Sequence, residues 1–177
     1  MNFKKMSSSF VGIIALSSIL GGAVIANAAD GVERKITLTA QISDGIYVTK
    51  PDGKTWYTTE ELESVDHKQS AFAKTLDVRV WTKGEKFNVS MIQPLIIQRN
   101  DGAYRLKDTK VSFGGPANIL DYGKPPVSIT QTLVGDGGFD DIYKLNIGAT
   151  APTSTGAAGE TNGAYSGDLV MLFEPSA

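Results

Sequence analysis

The sequence predicts an all-β protein, an antiparallel sandwich or barrel. Two observations carry that prediction. Short runs in which apolar and polar residues alternate recur along the chain, and a period of two marks a strand with one buried face. Turn signals separate the runs at Pro51-Asp52-Gly53, Lys83-Gly84, Asn100-Asp101-Gly102, Gly114-Gly115-Pro116 and Asp136-Gly137-Gly138.

The first segment is of another kind. Lys4 and Lys5 precede an apolar run over residues 10–25, and Ala26-Asn27-Ala28 follows with the small-x-small pattern of a signal-peptidase site. The run is shorter than the roughly 20 residues that span a bilayer. Residues 1–28 therefore read as a secretory signal peptide, with the mature chain beginning near Ala29. Next comes "GVERKITLTAQI", residues 31–42. Val32, Ile36, Leu38, Ala40 and Ile42 share one parity, while Glu33, Lys35, Thr37, Thr39 and Gln41 hold the other. This is a strand pattern at the tip of the mature chain, and alternation alone does not say whether it pairs within its own chain or with another.

The remaining strands follow in order. "TLDVRVWT" sets Leu76, Val78 and Val80 on one face and turns Trp81 to the other. "KFNVSM" aligns Phe87, Val89 and Met91, and "KVSF" aligns Val111 and Phe113. "VSITQTL" offers Val127, Ile129 and Leu133, and "YKLNI" offers Tyr143, Leu145 and Ile147. "YSGDLVMLF" places Tyr165, Leu169, Met171 and Phe173 in phase. Thr58 and Glu61 have capping-box spacing, which predicts a turn or two of helix in "TTEELESVDH". Residues 148–164, small, polar and glycine-rich, predict a flexible loop. There is no internal repeat and no second domain.

Composition narrows the function. Without Lys4 and Lys5 the chain carries 15 basic residues against 19 acidic ones, a formal charge near −4. An acidic surface speaks against nucleic acid as a partner. An exported chain with no cysteine forgoes disulfides and draws its stability from packing or from a partner.

Catalytic chemistry has little to stand on. His67 is the one histidine, lies in the polar stretch "SVDHKQS", and is accompanied by no nucleophile elbow. One histidine and no cysteine leave a transition-metal site without its usual ligands. Asp136, Asp140 and Asp141 cluster in "GDGGFDD", but their spacing departs from a calcium loop, and a hairpin turn accounts for them equally. No catalytic, metal or cofactor residues are assigned, and the chain reads as a non-enzyme. Trp56, beside a turn, and Trp81, on the outer face of its strand, are candidate surface or glycan contacts, with packing against a neighbouring side chain the favoured reading because two tryptophans define no pocket.

The lysine-bearing signal peptide leads into Val32-Glu33-Arg34-Lys35-Ile36-Thr37-Leu38-Thr39-Ala40-Gln41-Ile42. "LDVRVWT", the Phe113-Gly114-Gly115 turn and Gly163-Ala164-Tyr165-Ser166-Gly167 follow in a chain with no cysteine. In these features the sequence resembles the major subunits, or pilins, of alternate chaperone–usher fimbriae of the coli-surface-antigen, or colonization-factor, type. The resemblance implies an immunoglobulin-like antiparallel β-sandwich that lacks its last strand and is completed by a donor strand from a neighbour. It implies a signal peptide over 1–28, a donor-strand extension over 29–43 and a sandwich over 44–177. Val32, Ile36, Leu38, Ala40 and Ile42 would enter the neighbour's groove, while Val78, Val80, Leu169, Met171 and Phe173 are candidates to line the groove and core.

The implied partners are further copies of the chain, joined head to tail, a periplasmic chaperone, an outer-membrane usher and a tip adhesin subunit, with a host-surface glycan or protein as a further candidate. The implied route runs through the periplasm to a cell-surface adhesive fimbrium, and no cofactor is implied. Two departures stand out. Arg34 takes an in-phase position, and Asp44-Gly45 stands where many relatives carry a proline. The competing reading is a secreted carbohydrate-binding β-sandwich module or a minor, tip adhesin.

Overall fold

The computed structural model describes residues 45–176. Eleven strands order along this span: β1 (Ile46–Thr49), β2 (Glu63–Ser64), β3 (Ala71–Thr82), β4 (Lys86–Met91), β5 (Gln98–Arg99), β6 (Lys107–Phe113), β7 (Val127–Thr130), β8 (Val134–Gly135), β9 (Gly138–Thr150), β10 (Tyr165–Ser166) and β11 (Met171–Pro175). All pairings are antiparallel.

The larger sheet runs β1-β3-β9-β6, with β2 beside β3 and β8 beside β9; the smaller runs β11-β4-β7. β5 and β10 form a separate two-stranded ribbon. The spine of the larger sheet is the pairing of β3 with β9, from Ala71 opposite Thr150 to Thr82 opposite Phe139. The alternation of "TLDVRVWT" explains why this pairing is stable. Leu76, Val78 and Val80 turn inward and are buried, whereas Thr75, Asp77, Arg79 and Trp81 turn outward. On that outer face Thr75 Oγ1 donates to Asn146 Oδ1 (3.0 Å), Lys144 pairs with Asp77 (2.5 Å) and Arg79 pairs with Asp140 (2.5 Å).

The core lies between the two sheets. Phe87, Val89, Val78, Val80 and Phe113 are fully buried, with Leu145 and Val111 nearly so. Phe87, Phe113, Tyr143 and Phe173 form an aromatic cluster: Phe113 lies 5.4 Å from both Tyr143 and Phe173, and Phe87 lies 5.6 Å from Tyr143, centroid to centroid. Such pairs add to the burial of their large apolar areas. At one end of the core sits the buried amide of Gln131, which donates to the Val80 carbonyl (2.9 Å) and accepts from the Thr82 hydroxyl. Burial pushes the neighbouring Tyr143 phenol up to about 12.

Four local expectations change. The capping-box segment forms no helix; Glu63–Ser64 instead pairs with Phe72 and Ala73, because the outer edge of β3 needs a partner there and Lys74 holds Glu63 at 2.6 Å. "VSITQTL" stops being a strand at Thr130; Gln131 keeps the inward phase of Ile129 and is buried, whereas Leu133, expected in that phase, is 56% exposed. The last run splits into β10 and β11, with Gly167–Val170 between them. There Gly167 lies so close to the chain that a Cβ would sit 2.1 Å from the Ile96 carbonyl oxygen. Residues 148–150 belong to β9, and the rest of the 148–164 segment is tied down. Arg99 donates to the carbonyls of Glu160 (2.5 Å) and Asn162 (3.1 Å), and the Tyr165 hydroxyl donates to that of Thr161 (2.6 Å).

Truncating the centre of this core leaves a cavity in addition to the lost transfer energy. Phe87→Ala is expected to lower unfolding free energy by about 3–5 kcal/mol. Val65→Ala, at a position 62% exposed, is expected to stay within about 0.5 kcal/mol. Urea denaturation followed by tryptophan fluorescence checks both.

Candidate functional site

An immunoglobulin sandwich sets strands A-B-E-D in one sheet against C-F-G in the other. Here β1, β3, β9 and β6 reproduce A-B-E-D in both spatial and chain order, and β4 and β11 reproduce C and F. β7, which follows D in the chain, lies on the outer edge of C. Among the described residues no strand takes the place of G: β11 pairs with β4 and with nothing on its other side. That edge is the candidate site.

The residues of β11 show what the edge presents. Met171, opposite Met91, and Phe173, opposite Val89, face inward and pack on the core, yet both remain half-buried. Leu172 and Glu174 face outward and are exposed. Leu169, just before the strand, is also half-buried against the core. Of the groove and core candidates, Val78 and Val80 are fully enclosed, while Leu169, Met171 and Phe173 sit at the margin. Among the described residues β1 and β7 also pair on one side only, whereas the outer edge of β6 is covered. Along β6, Leu120 N donates to Val111 O (2.8 Å) and Phe113 N to Asn118 O (3.1 Å), so the following loop covers the strand. The signal segment 1–28, the extension 29–43 and its Val32, Ile36, Leu38, Ala40 and Ile42 lie outside the described residues.

The two tryptophans are not brought together. Trp56, 42% exposed, stacks edge-on against Tyr57 at 5.6 Å, and Trp81 tilts over Tyr47 at 5.5 Å. Trp81 does face away from the core, and its indole N–H donates to the Asp136 carbonyl (3.1 Å). Around it, Tyr47, Thr49, Gly53, Arg79 and Asp140 complete a shallow depression of about 200 Å³.

The acidic cluster is dispersed by its hydrogen bonds. Arg79 Nε donates to Asp140 Oδ1 (2.8 Å), Asp141 Oδ1 accepts from Ile142 N (2.7 Å), and the Asp136 carbonyl is taken by Trp81. Among the described residues no group of three or more acidic, histidine or cysteine side chains is placed to hold a metal ion. His67 is exposed in a surface turn. Sequence reasoning missed Tyr47 and the Arg79–Asp140 pair. The pair lies in two strands remote in sequence, and its only local signal was the outward phase of Arg79.

Among the described residues, then, β11 presents an unpaired edge, the kind of edge to which a further strand can pair. Comparison with known proteins gives the chain a family. The model of the CS1 type fimbrial major subunit matches residues 32–174, and the chain belongs to that family: it is a structural major subunit of a cell-surface fimbrium. The solved structure of the CooA pilin subunit from enterotoxigenic Escherichia coli has a similar fold, with a TM-score of 0.59 at 16% identity, over 72% of this chain and 85% of that one. A comparison with curated proteins found no match.

The Arg79 guanidinium holds the Asp140 carboxyl below its ordinary value of 3.8. A depressed carboxyl stabilises the fold above the unfolded-state value and loses that contribution as pH falls through the folded-state value. Asp140→Asn is therefore expected to lower the thermal midpoint at pH 7, with the gap to the parent chain closing as pH drops below about 4. Parallel melts across pH 7 to 2 check this.

Proposed function

We propose that this subunit polymerises by donor-strand exchange, giving residues 29–43 to the open edge of β11 in the next copy. The observation that carries the reading is the A-B-E-D and C-F order with the G position unfilled among the described residues, beside half-buried Met171 and Phe173. An added strand would complete the backbone ladder of β11 and cover these side chains. Burying Val32, Ile36, Leu38 and Ile42 at roughly 1.5–3 kcal/mol each contributes on the order of 10 kcal/mol before entropy. Whole domains are stable by only about 5–15 kcal/mol.

One antiparallel register matches both faces. It sets Ile36 beside Phe173, Leu38 beside Met171 and Ala40 beside Leu169 in the core, with Lys35 beside Glu174 outside. Opposite charges directly across a sheet are favourable. Arg34 then falls beside Pro175 at the mouth of the groove, where its stem can pack while its charge stays in water.

Before assembly the open edge is an aggregation hazard. A periplasmic chaperone would cover it, and an outer-membrane usher would exchange that cover for the extension of the next subunit, with a tip adhesin at the fibre's end. The signal segment over 1–28 would take the chain through the periplasm to this pathway. The role is structural and adhesive, and not enzymatic. The carbohydrate-binding alternative has weaker support, because Trp56 and Trp81 stack on different tyrosines and share no depression.

The test compares the chain from residue 29 with a truncation from residue 44, both run unheated on a denaturing gel. The longer chain is expected to give a ladder of multiples that collapses on boiling. The truncation is expected to give none, and to fold when a peptide of residues 29–43 is added. A single monomer band from the longer chain would sink the proposal.

A further inference from the structure

β1 begins at Ile46, opposite Thr82 at the end of β3, and its first outward side chain is Tyr47. Tyr47 is 66% exposed and lies against Trp81. The chain enters β1 hard against this pair, since a Cβ on Gly45 would sit 3.2 Å from Tyr47 Cε2. An aromatic pair at the foot of a sandwich, one ring largely in solvent, needs an explanation beyond the fold of its own chain.

The length of the extension supplies one, resting on the donor-strand reading above. Only Ser43, Asp44 and Gly45 separate Ile42 from Ile46. Four residue steps, fully extended, span at most roughly 13–14 Å. If Ile42 is buried in a neighbouring copy, the surface of that copy must lie within this reach of Ile46, and Tyr47 is the next residue along.

Chain direction selects which surface it is. β11 runs from Met171, beside Met91, to Pro175, beside Phe87. Thr82, Phe87 and Pro175 thus mark the lower end of the sandwich, where β1 starts, and Met91 and Gly167–Val170 mark the upper end. A donor strand antiparallel to β11 emerges at the upper end, so the lower end of one copy meets the upper end of the next and the contact propagates as an open chain. A parallel donor would bring two lower ends together and require each subunit to use that end twice.

The upper end is suitably built. Ile92 and Ile96 are 52% and 45% exposed there. Both are fixed against the segment leading into β11: Ile92 N donates to the Val170 carbonyl (3.2 Å), and Gly167 packs directly on the Ile96 carbonyl.

We infer that Tyr47 and Trp81 form an axial docking surface for a second copy of this chain, seated on Ile92 and Ile96 at the opposite end of that copy. The donor strand sets affinity, and this contact sets the angle and stiffness of the joint between subunits.

The absence of cysteine makes the test clean. Tyr47→Cys is combined with Ile92→Cys, and separately with Ile96→Cys, in the chain from residue 29, and the polymer is treated with a short bis-maleimide. At least one pair is expected to give a ladder that survives boiling. Tyr47→Cys with Lys144→Cys, an exposed mid-sheet position, is expected to give none. The unheated ladder without crosslinker reports donor-strand exchange independently. If that ladder forms and neither isoleucine pair yields boiling-resistant multiples, the docking surface is wrong and strand exchange stands. If it does not form in the parent chain, strand exchange falls and the docking surface with it. A variant pair that alone loses the ladder is replaced by Trp81 acrylamide quenching in a Trp56→Phe chain. Quenching is expected to fall on polymerisation, and unchanged quenching overturns the inference.

Discussion

The pairing of β3 with β9 is the constraint on which the rest of the molecule depends. Because side chains alternate across a sheet, one register decides both faces together. With Leu76 opposite Leu145 and Val78 opposite Tyr143, the apolar set falls inside, and Asp77 with Lys144 and Thr75 with Asn146 falls outside. A slip of one residue would bury Asp77 and Arg79 and expose Val78 and Val80. The spine also holds every other strand of its sheet: β1 and β2 share one edge of β3, and β6 and β8 share one edge of β9.

Edges are where this fold and its function meet. A strand at the margin of a sheet carries unpaired backbone groups, and a chain made of strands must dispose of them. β6 is covered by its own loop, and short β2 and β8 complete the sides of the spine. Among the described residues β11 has one partner, while its inward Phe173 helps to close the aromatic cluster of Phe87, Phe113 and Tyr143. A core residue such as Phe173 on a one-sided strand makes completion of the sheet and completion of the core the same event. On the donor-strand proposal, this is the physical sense in which the subunit would be finished by association. With no cysteine to form a disulfide, the contribution of a donated strand would be large relative to the whole.

The polar chemistry of the surface is spent on structure. Asp52 is held down to about 2 by the Thr55 hydroxyl and by backbone N–H groups in the turn it caps, and Asp101 to about 2 by Arg99. Arg99 also donates to carbonyls of the 148–164 segment, so a glycine-rich stretch is held by a guanidinium together with the Lys107 ammonium and the Tyr165 hydroxyl.

The alternation of the sequence by itself determined the centres of the spine strands, residues 75–82 and 143–147, the inward phase of Val78 and Val80, the outward phase of Trp81 and the identity of the core aromatics. A period of two is a local property, set by the pleat, and the turn residues that bound it act over three or four positions. Tertiary structure alone decided which strands are neighbours, that the inward-phased Gln131 would find Thr82 and Val80 as partners, and that Thr58–Glu61 would not start a helix beside a strand edge in need of pairing. It alone placed Tyr47 on Trp81, Arg79 on Asp140, and Met171 and Phe173 on the margin of the core. Each of these joins residues far apart in the chain, and no periodicity records the distance between two segments until the sheets fold over one another.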